Sequence, residues 1–161
     1  MRNEIDHQEK ILARLLEWIR ASDARVPPIA ALNTAMLGVF AVNVPSRDEW
    51  TWTLVAFGTS TVVSLIASLV LLAIATWPRT HGPEGSLTFF EGIKRTGLSG
   101  YRDAMTSLKE EDYLVELIEQ SYRNAEIASS KFRFVRFAMS ASFIGILLWL
   151  PTLYFLFTIK E

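Results

Sequence analysis

Apolar residues along this chain gather into three charge-free runs, and the stretches between them alternate apolar and polar positions at helical spacing. Trp50 to Pro78 is a run of 29 residues without a charge. Its centre, Leu54 to Trp77, is long enough to cross about 30 Å of hydrocarbon as a helix. Phe137 to Ile159 is a second run, 23 residues dense in Leu, Ile, Phe and Trp, with Trp149 and Tyr154 placed as interface anchors. Val26 to Ser46 is a third run of 21 uncharged residues, interrupted by Asn33, Asn43 and the Pro27-Pro28 pair. Those interruptions leave both a full span and a re-entrant segment open, and the full span is preferred. The predicted membrane helices are therefore residues 26–46, 53–77 and 133–159.

Residues 1–25 predict an amphipathic helix, because Ile5, Leu12, Leu15, Leu16 and Ile19 recur at helical spacing while Glu9, Lys10, Arg14, Glu17 and Arg20 take the other positions. The proline pair ends it and pre-sets the first turn of the next helix, predicting a bend. Residues 78–132 read as a second helical region. Pro78 to Ser86 is rich in proline and glycine and predicts a loop. Phe89 and Phe90 open a short helix through Arg95, and Gly97 and Gly100 break it before a new helix near Tyr101. Leu108, Val115, Ile118, Tyr122 and Ala125 then form one apolar face beside Glu116, Glu119, Arg123 and Glu126. No helix breaker follows before Pro151, so the third span is predicted to continue a long helix whose part from Glu111 to Lys131 is about 30 Å long at 1.5 Å per residue. The fold class expected is an all-α integral membrane protein with three transmembrane helices and a helical cytoplasmic region. No alternating strand pattern or internal repeat is visible.

Composition narrows the chemistry. Half of the residues are hydrophobic, mean hydropathy is +0.24, and 16 Lys+Arg against 17 Asp+Glu leave a net charge of −1. No field exists to draw the whole chain to DNA or RNA. The chain lacks cysteine and has two histidines, His7 and His81, at no metal-ligand spacing, so no metal and no cofactor is expected. No phosphate-cradling glycine loop, nucleophile elbow or paired-carboxylate motif occurs, and the Glu110-Glu111-Asp112 run reads as a solvated helix start, so no catalytic residue is assigned and an enzyme is not expected. The basic residues are asymmetric: five precede Val26 and nine lie between 78 and 136, against Arg47 and Lys160 elsewhere. The positive-inside rule then places the amino terminus and residues 78–132 in the cytoplasm and the carboxyl terminus outside. The first 25 residues hold ten charges and no apolar core, so a cleavable signal peptide is not expected.

Two sets of residues are candidates for function. Inside the spans, Asn33 and the four-residue series Ser60, Ser64 and Ser68 are candidates for helix packing or for lining a pore. No Asp, Glu, Lys, Arg or His lies inside the three uncharged runs, Arg133 and Arg136 standing just before the third, which argues against an ion-coupled transporter. Outside the spans, aromatics Phe90, Tyr101 and Tyr113, cations Lys94, Arg95 and Lys131, and amides Gln120 and Asn124 suit nucleotide recognition: rings stack on a base, amides pair with its edge and cations hold a phosphate. Spacing alone fits core packing and surface solvation as well.

Longer stretches carry a resemblance. The run Leu16-Glu-Trp18-Ile-Arg-Ala-Ser-Asp23-Ala-Arg25, followed by Ala31-Leu-Asn33-Thr-Ala, resembles the opening of the transmembrane effectors of Pycsar, the pyrimidine cyclase system for antiphage resistance. Phe89-Phe90-Glu-Gly92-Ile93, then Tyr101, Asp112-Tyr113-Leu-Val-Glu-Leu117-Ile-Glu-Gln120 and Asn124-Ala-Glu-Ile127-Ala128-Ser-Ser-Lys131 are similar to that family's second half in order and spacing. The resemblance implies a bacterial inner-membrane effector activated by a cyclic pyrimidine nucleotide, cyclic CMP or cyclic UMP, that impairs membrane integrity and causes abortive infection. Its implied partners are the lipid bilayer, the cyclic nucleotide and further copies of itself in a homo-oligomer. A membrane-anchored helical module that binds a protein partner, and an effector gated by cyclic oligonucleotides, are the alternatives.

Overall fold

The computed structural model describes residues 1–78 and 86–158, and every regular element among them is helical. In chain order these are α1 (Arg2–Asp23), α2 (Val26–Val42), a 3-10 turn at Arg47–Glu49, α3 (Trp52–Thr76), α4 (Phe90–Ser107) and α5 (Glu110–Thr158). Most of the loop predicted over 78–86, with His81, lies outside the described residues, as do residues 159–161. The chain forms two compact units, a polar one of Met1–Ala21 and Pro78–Ser130 and a membrane one of Ser22–Trp77 and Lys131–Glu161. The helices long and apolar enough to cross a membrane number three among the described residues, carried by Arg2–Val42, Trp52–Thr76 and Glu110–Thr158.

In the membrane unit, α3 buries Leu54, Gly58, Thr61, Leu65, Ser68, Leu72 and Ala75, a strict alternation of four- and three-residue steps. The carboxyl-terminal part of α5 buries Val135, Ala138, Ser142, Gly145, Thr152 and Leu156 at the same repeat. A 3.5-residue seam is the geometry of helices crossing at about 20°, the commonest packing in bundles and membranes. Small residues set how close the helices come. The ring of Phe40 lies 3.3 Å from where a Cβ at Gly58 would sit, and the Leu65 side chain 2.7 Å from one at Gly145. Phe57 and Phe155 stack with centroids 5.8 Å apart, adding an aromatic contact to the seam.

Prolines are placed where they cost least. Pro27 and Pro28 fall in the first turn of α2, where the missing N–H groups have no helical partner to lose, and the helix breaks only at Ala24 and Arg25. Pro151, by contrast, lies inside α5, which continues to Thr158. Its neighbour Thr152 donates its hydroxyl to the Leu148 carbonyl at 2.8 Å, one residue on from the Leu147 carbonyl that a proline at 151 leaves without a backbone donor.

The polar unit differs from the sequence expectation in two details. Gly97 alone leaves helical geometry, at φ 72° and ψ 166°, and Gly100 stays within α4. The interruption that the pattern did not reveal is at Leu108, whose extended backbone (φ −65°, ψ 124°) ends α4. Glu110, Glu111 and Asp112 then occupy the first turn of α5, where carboxylates oppose the helix dipole. The buried side of α5 in this unit is Leu117, Gln120, Ser121 and Ala128. Val115, Ile118 and Tyr122, which the periodicity places on one apolar face, are exposed.

Candidate functional site

The segment that leads into α4 is tied to α5 by a polar cluster. Ser86 is buried, and its hydroxyl accepts from Phe89 N at 2.9 Å while donating to Glu116 Oε1 at 2.6 Å. That same carboxylate oxygen accepts from Thr88 N and from the Thr88 hydroxyl, each at 2.8 Å. Gln120 Nε2 donates to Ser86 Oγ at 3.1 Å and also to Thr88 Oγ1. One turn further along α5, Asn124 Nδ2 donates to the Gln120 carbonyl at 2.9 Å. Glu116, Gln120 and Asn124 thus form a ladder at four-residue spacing on one face of α5. At Gly92 the Ser86 carbonyl occupies the space a Cβ would need, so only glycine allows α4 to start this close.

A groove of about 270 Å³ opens beside the cluster, lined by Ser86, Leu87, Leu108, Asp112, Val115, Glu116 and Glu119. With three carboxylates in its wall it repels a phosphate. A second groove, of about 520 Å³, lies between α1 and α5 and is lined by Asn3, Glu4, His7, Gln8, Leu114 and Ile118. The Asn3 and Gln8 amides, the His7 imidazole and the Glu4 carboxylate line it together with Leu114 and Ile118, so it holds polar groups for a base edge but no cation for a phosphate. The α1–α5 pairing in this unit is held by Tyr113, whose hydroxyl donates to Glu9 Oε1 at 2.9 Å. Burial raises the Tyr113 pKa above the ordinary phenol value, and the bond to Glu9 with the nearby Glu9 and Glu116 charges raises it further.

The recognition residues read from the sequence are distributed as follows. Gln120 and Asn124 belong to the polar ladder, and Tyr113 to the α1–α5 contact. Phe90, Lys94 and Arg95 are exposed on α4, with Arg95 3.7 Å from Glu91, and Tyr101 is half-buried there. Lys131 belongs to the membrane unit, where its ammonium meets Asp23 Oδ1 at 2.6 Å. Ser86, Thr88 and Glu116 were missed by sequence reasoning, although a Ser-x-Thr just ahead of a helix start is a capping signal. Asn3, His7 and Gln8 were missed because neither groove wall has a motif of its own.

The membrane candidates also sort by position. Asn33 Nδ2 donates to Ser68 Oγ at 2.8 Å, its Oδ1 accepts from Ser142 Oγ at 2.7 Å, and Ser68 Oγ donates to the Ala138 carbonyl at 2.8 Å. These three buried side chains join α2, α3 and α5. Ser64 donates to the Ala141 carbonyl at 3.0 Å, while Ser60 is exposed. Thr61 and Thr152 share a further hydrogen bond at 3.0 Å. The amide and these two serines therefore serve helix association, each polar group satisfied within the bundle.

Comparison with known proteins extends over both units. The Pycsar effector protein domain matches residues 7–158. The chain belongs to the Pycsar effector family. It is also similar to the Pycsar effector protein SaPycTM of Staphylococcus aureus, at 29% identity over 133 residues that cover 81% of this chain and 82% of the relative. No solved structure matches significantly. Membership of the Pycsar family makes this membrane protein an antiphage-defence effector. The match runs through the polar ladder and through the three membrane helices alike.

Proposed function

We propose that this Pycsar effector senses a cyclic pyrimidine nucleotide, cyclic CMP or cyclic UMP, with its polar unit and responds by impairing the inner membrane, so that the infected cell stops supporting phage. The single observation that carries this reading is the family match across residues 7–158, which unites a polar helical unit with three membrane helices in one chain. Fourteen of the sixteen basic residues lie before Val26 or between 78 and 136. By the positive-inside rule the polar unit and the amino terminus then face the cytoplasm, where a nucleotide messenger is made, and the carboxyl terminus is outside. Ligand selectivity would come from amides at the base edge, as in the α1–α5 groove, and phosphate attraction from exposed cations such as Lys94 and Arg95. The chain acts without catalysis and without a resident cofactor in this scheme.

The test is a thermal-melt series on the detergent-purified full chain with cyclic CMP, cyclic UMP, cyclic AMP, cyclic GMP and cyclic dinucleotides. A ligand at 100 times its Kd adds about 2.7 kcal/mol to the folded state, a rise of about 5–10 °C for a chain of this size. A rise with one cyclic pyrimidine, followed by ligand-dependent leakage from liposomes, is the expected outcome. A rise with cyclic dinucleotides alone reassigns the ligand. No shift with any nucleotide in a folded preparation overturns the sensing step and favours a membrane-anchored module that binds a protein.

A further inference from the structure

The membrane unit carries its charges at its two ends, and the end where α5 enters it is almost wholly cationic. There α3 runs antiparallel to α5, with Thr61 bonded to Thr152 and Ser68 to the Ala138 carbonyl, so the exposed Trp77 that closes α3 lies at the same end as Lys131. Asp23 is the carboxylate at this end, and its Oδ1 is taken up by the Lys131 ammonium at 2.6 Å. Among the described residues no carboxylate stands within ion-pair distance of Arg25, Arg133 or Arg136, and all three are exposed. Each guanidinium lies instead over a phenylalanine ring. Arg25 is 5.6 Å from the centroid of Phe132, Arg133 5.6 Å from that of Phe134 and Arg136 5.5 Å from that of Phe137. A ring holds the cation by its charge and leaves its N–H donors without an oxygen acceptor. At about 100° per residue, Phe132, Arg136 and Arg133 fall within about 100° of arc on α5. That arc is on the side away from the buried Val135 and Ala138.

We infer that Arg25, Arg133 and Arg136 form a site for the headgroup phosphate of an anionic phospholipid. Depth argues for a lipid: Arg136 is the last charge before a run of 23 uncharged residues, so the three guanidinium groups stand at the edge of the hydrocarbon, where headgroup phosphates lie. Charge argues for the anionic class, because four cations meet one carboxylate here and a zwitterionic headgroup brings an ammonium of its own. A second copy of the chain would set the same unpaired arginines against these, which disfavours it as the occupant. The planar fork of each arginine suits two phosphate oxygens at once. Phe137 and Met139, 48% and 47% exposed just beyond the arginines, offer the acyl chains an apolar wall. The site does not rest on the nucleotide reading.

Native mass spectrometry of the detergent-purified full chain, without nucleotide, measures how much phosphatidylglycerol and phosphatidylethanolamine of identical acyl chains it retains from an equimolar mixture. The wild-type chain is expected to retain phosphatidylglycerol in preference. The paired change Arg133→Gln, Arg136→Gln should weaken that retention by about fivefold for each arginine removed. Arg102→Gln with Lys109→Gln, the same loss of charge at exposed positions of the polar unit, should leave it unchanged. Arg133→Lys with Arg136→Lys keeps the charge without the fork and is expected to fall between the wild type and the Gln pair. If the Gln pair does not fold, the Lys pair carries the comparison. Equal retention of the two lipids by the wild-type chain, or an equal loss in the control pair, overturns the inference. Displacement of phosphatidylglycerol by inorganic phosphate would assign the arginines to a soluble anion and overturn it too. Because no nucleotide is present, failure here and failure of the sensing step are read apart.

Discussion

Gly145→Ala tests the packing of the membrane unit at its tightest point. The new Cβ would lie 2.7 Å from Leu65 Cδ2 and 3.1 Å from its Cγ, well inside the roughly 3.5–4.0 Å optimum of carbon contacts. Leu65 is fully buried, so its side chain has no open space into which to withdraw. Overpacking of this kind costs about 1–3 kcal/mol, while alanine regains up to about 1 kcal/mol over glycine in helix propensity. The net loss is about 1–2 kcal/mol, which lowers Tm by about 2–8 °C for a chain of this length. Leu65→Ala removes the clash and opens a cavity, so on its own it destabilises. Combining it with Gly145→Ala lets the added methyl occupy part of that cavity. The double variant should therefore be more stable than the sum of the singles by about 1–2 kcal/mol. The assay is reversible thermal unfolding in detergent of the wild-type chain and the three variants, followed by loss of helical signal. A Gly145→Ala protein at least as stable as wild type, or strict additivity in the cycle, would refute the close approach of α3 and α5.

Four further outcomes follow from the contacts. Asn33→Val removes two interhelical bonds and should cost about 1–2 kcal/mol at roughly 0.6 kcal/mol per membrane hydrogen bond and up to about 1.7, read in the same melts; Asn33→Asp, if tolerated as well as Val, would count against the amide's dual role. Glu116→Ala releases Ser86 and Thr88 together, so hydrogen exchange at residues 86–93 should rise at least about tenfold, a loss of about 1.4 kcal/mol or more of local protection, whereas exchange within residues 135–156 stays as in wild type. Asp23→Asn leaves the mostly buried Lys131 ammonium without its partner and should cost about 1–2 kcal/mol, the half-exposed carboxylate discounting the value of a fully buried pair; recovery in the Asp23→Asn, Lys131→Met double variant would confirm the pairing. Tyr113 has a raised folded pKa, so its contribution is fully present below the ordinary phenol value of 10.0 and is lost as pH climbs through the higher folded value. The stability of the wild-type chain should then fall above about pH 10 more steeply than that of Tyr113→Phe, and parallel alkaline limbs would contradict the Tyr113–Glu9 bond.

The hydrophobic pattern was enough to predict three helices of membrane-spanning length, because a run of about twenty uncharged residues has one stable solution in a bilayer. It also marked Asn33 as a candidate for helix packing or for lining a pore, but not what it bonds: Ser68 and Ser142 lie 35 and 109 residues away, and only the bundle brings them to its two ends. Ser60, Ser64 and Ser68 recur every four residues. The packing repeat is 3.5 residues, so Ser68 is buried, Ser64 lies at the edge and Ser60 is exposed.

In the polar unit the limits are of a different kind. Leu108 ends α4 without any glycine or proline to announce it, since an extended leucine before an acidic helix start is a local choice that tertiary contacts make. Apolar periodicity on α5 was legible, yet the helix carries two stripes and the pattern could not say which one the chain itself uses. The inward stripe is the more polar, because Gln120 and Glu116 are needed to bind the segment at Ser86 and Thr88. By itself, the sequence determined the helical class, the spans and the exclusion of charge from the membrane, all consequences of transfer free energies that act residue by residue. Tertiary structure alone decided the partners of the buried amides and carboxylates and the side of α5 left exposed, because hydrogen bonds and close packing depend on atoms distant in sequence arriving within a few ångströms of one another.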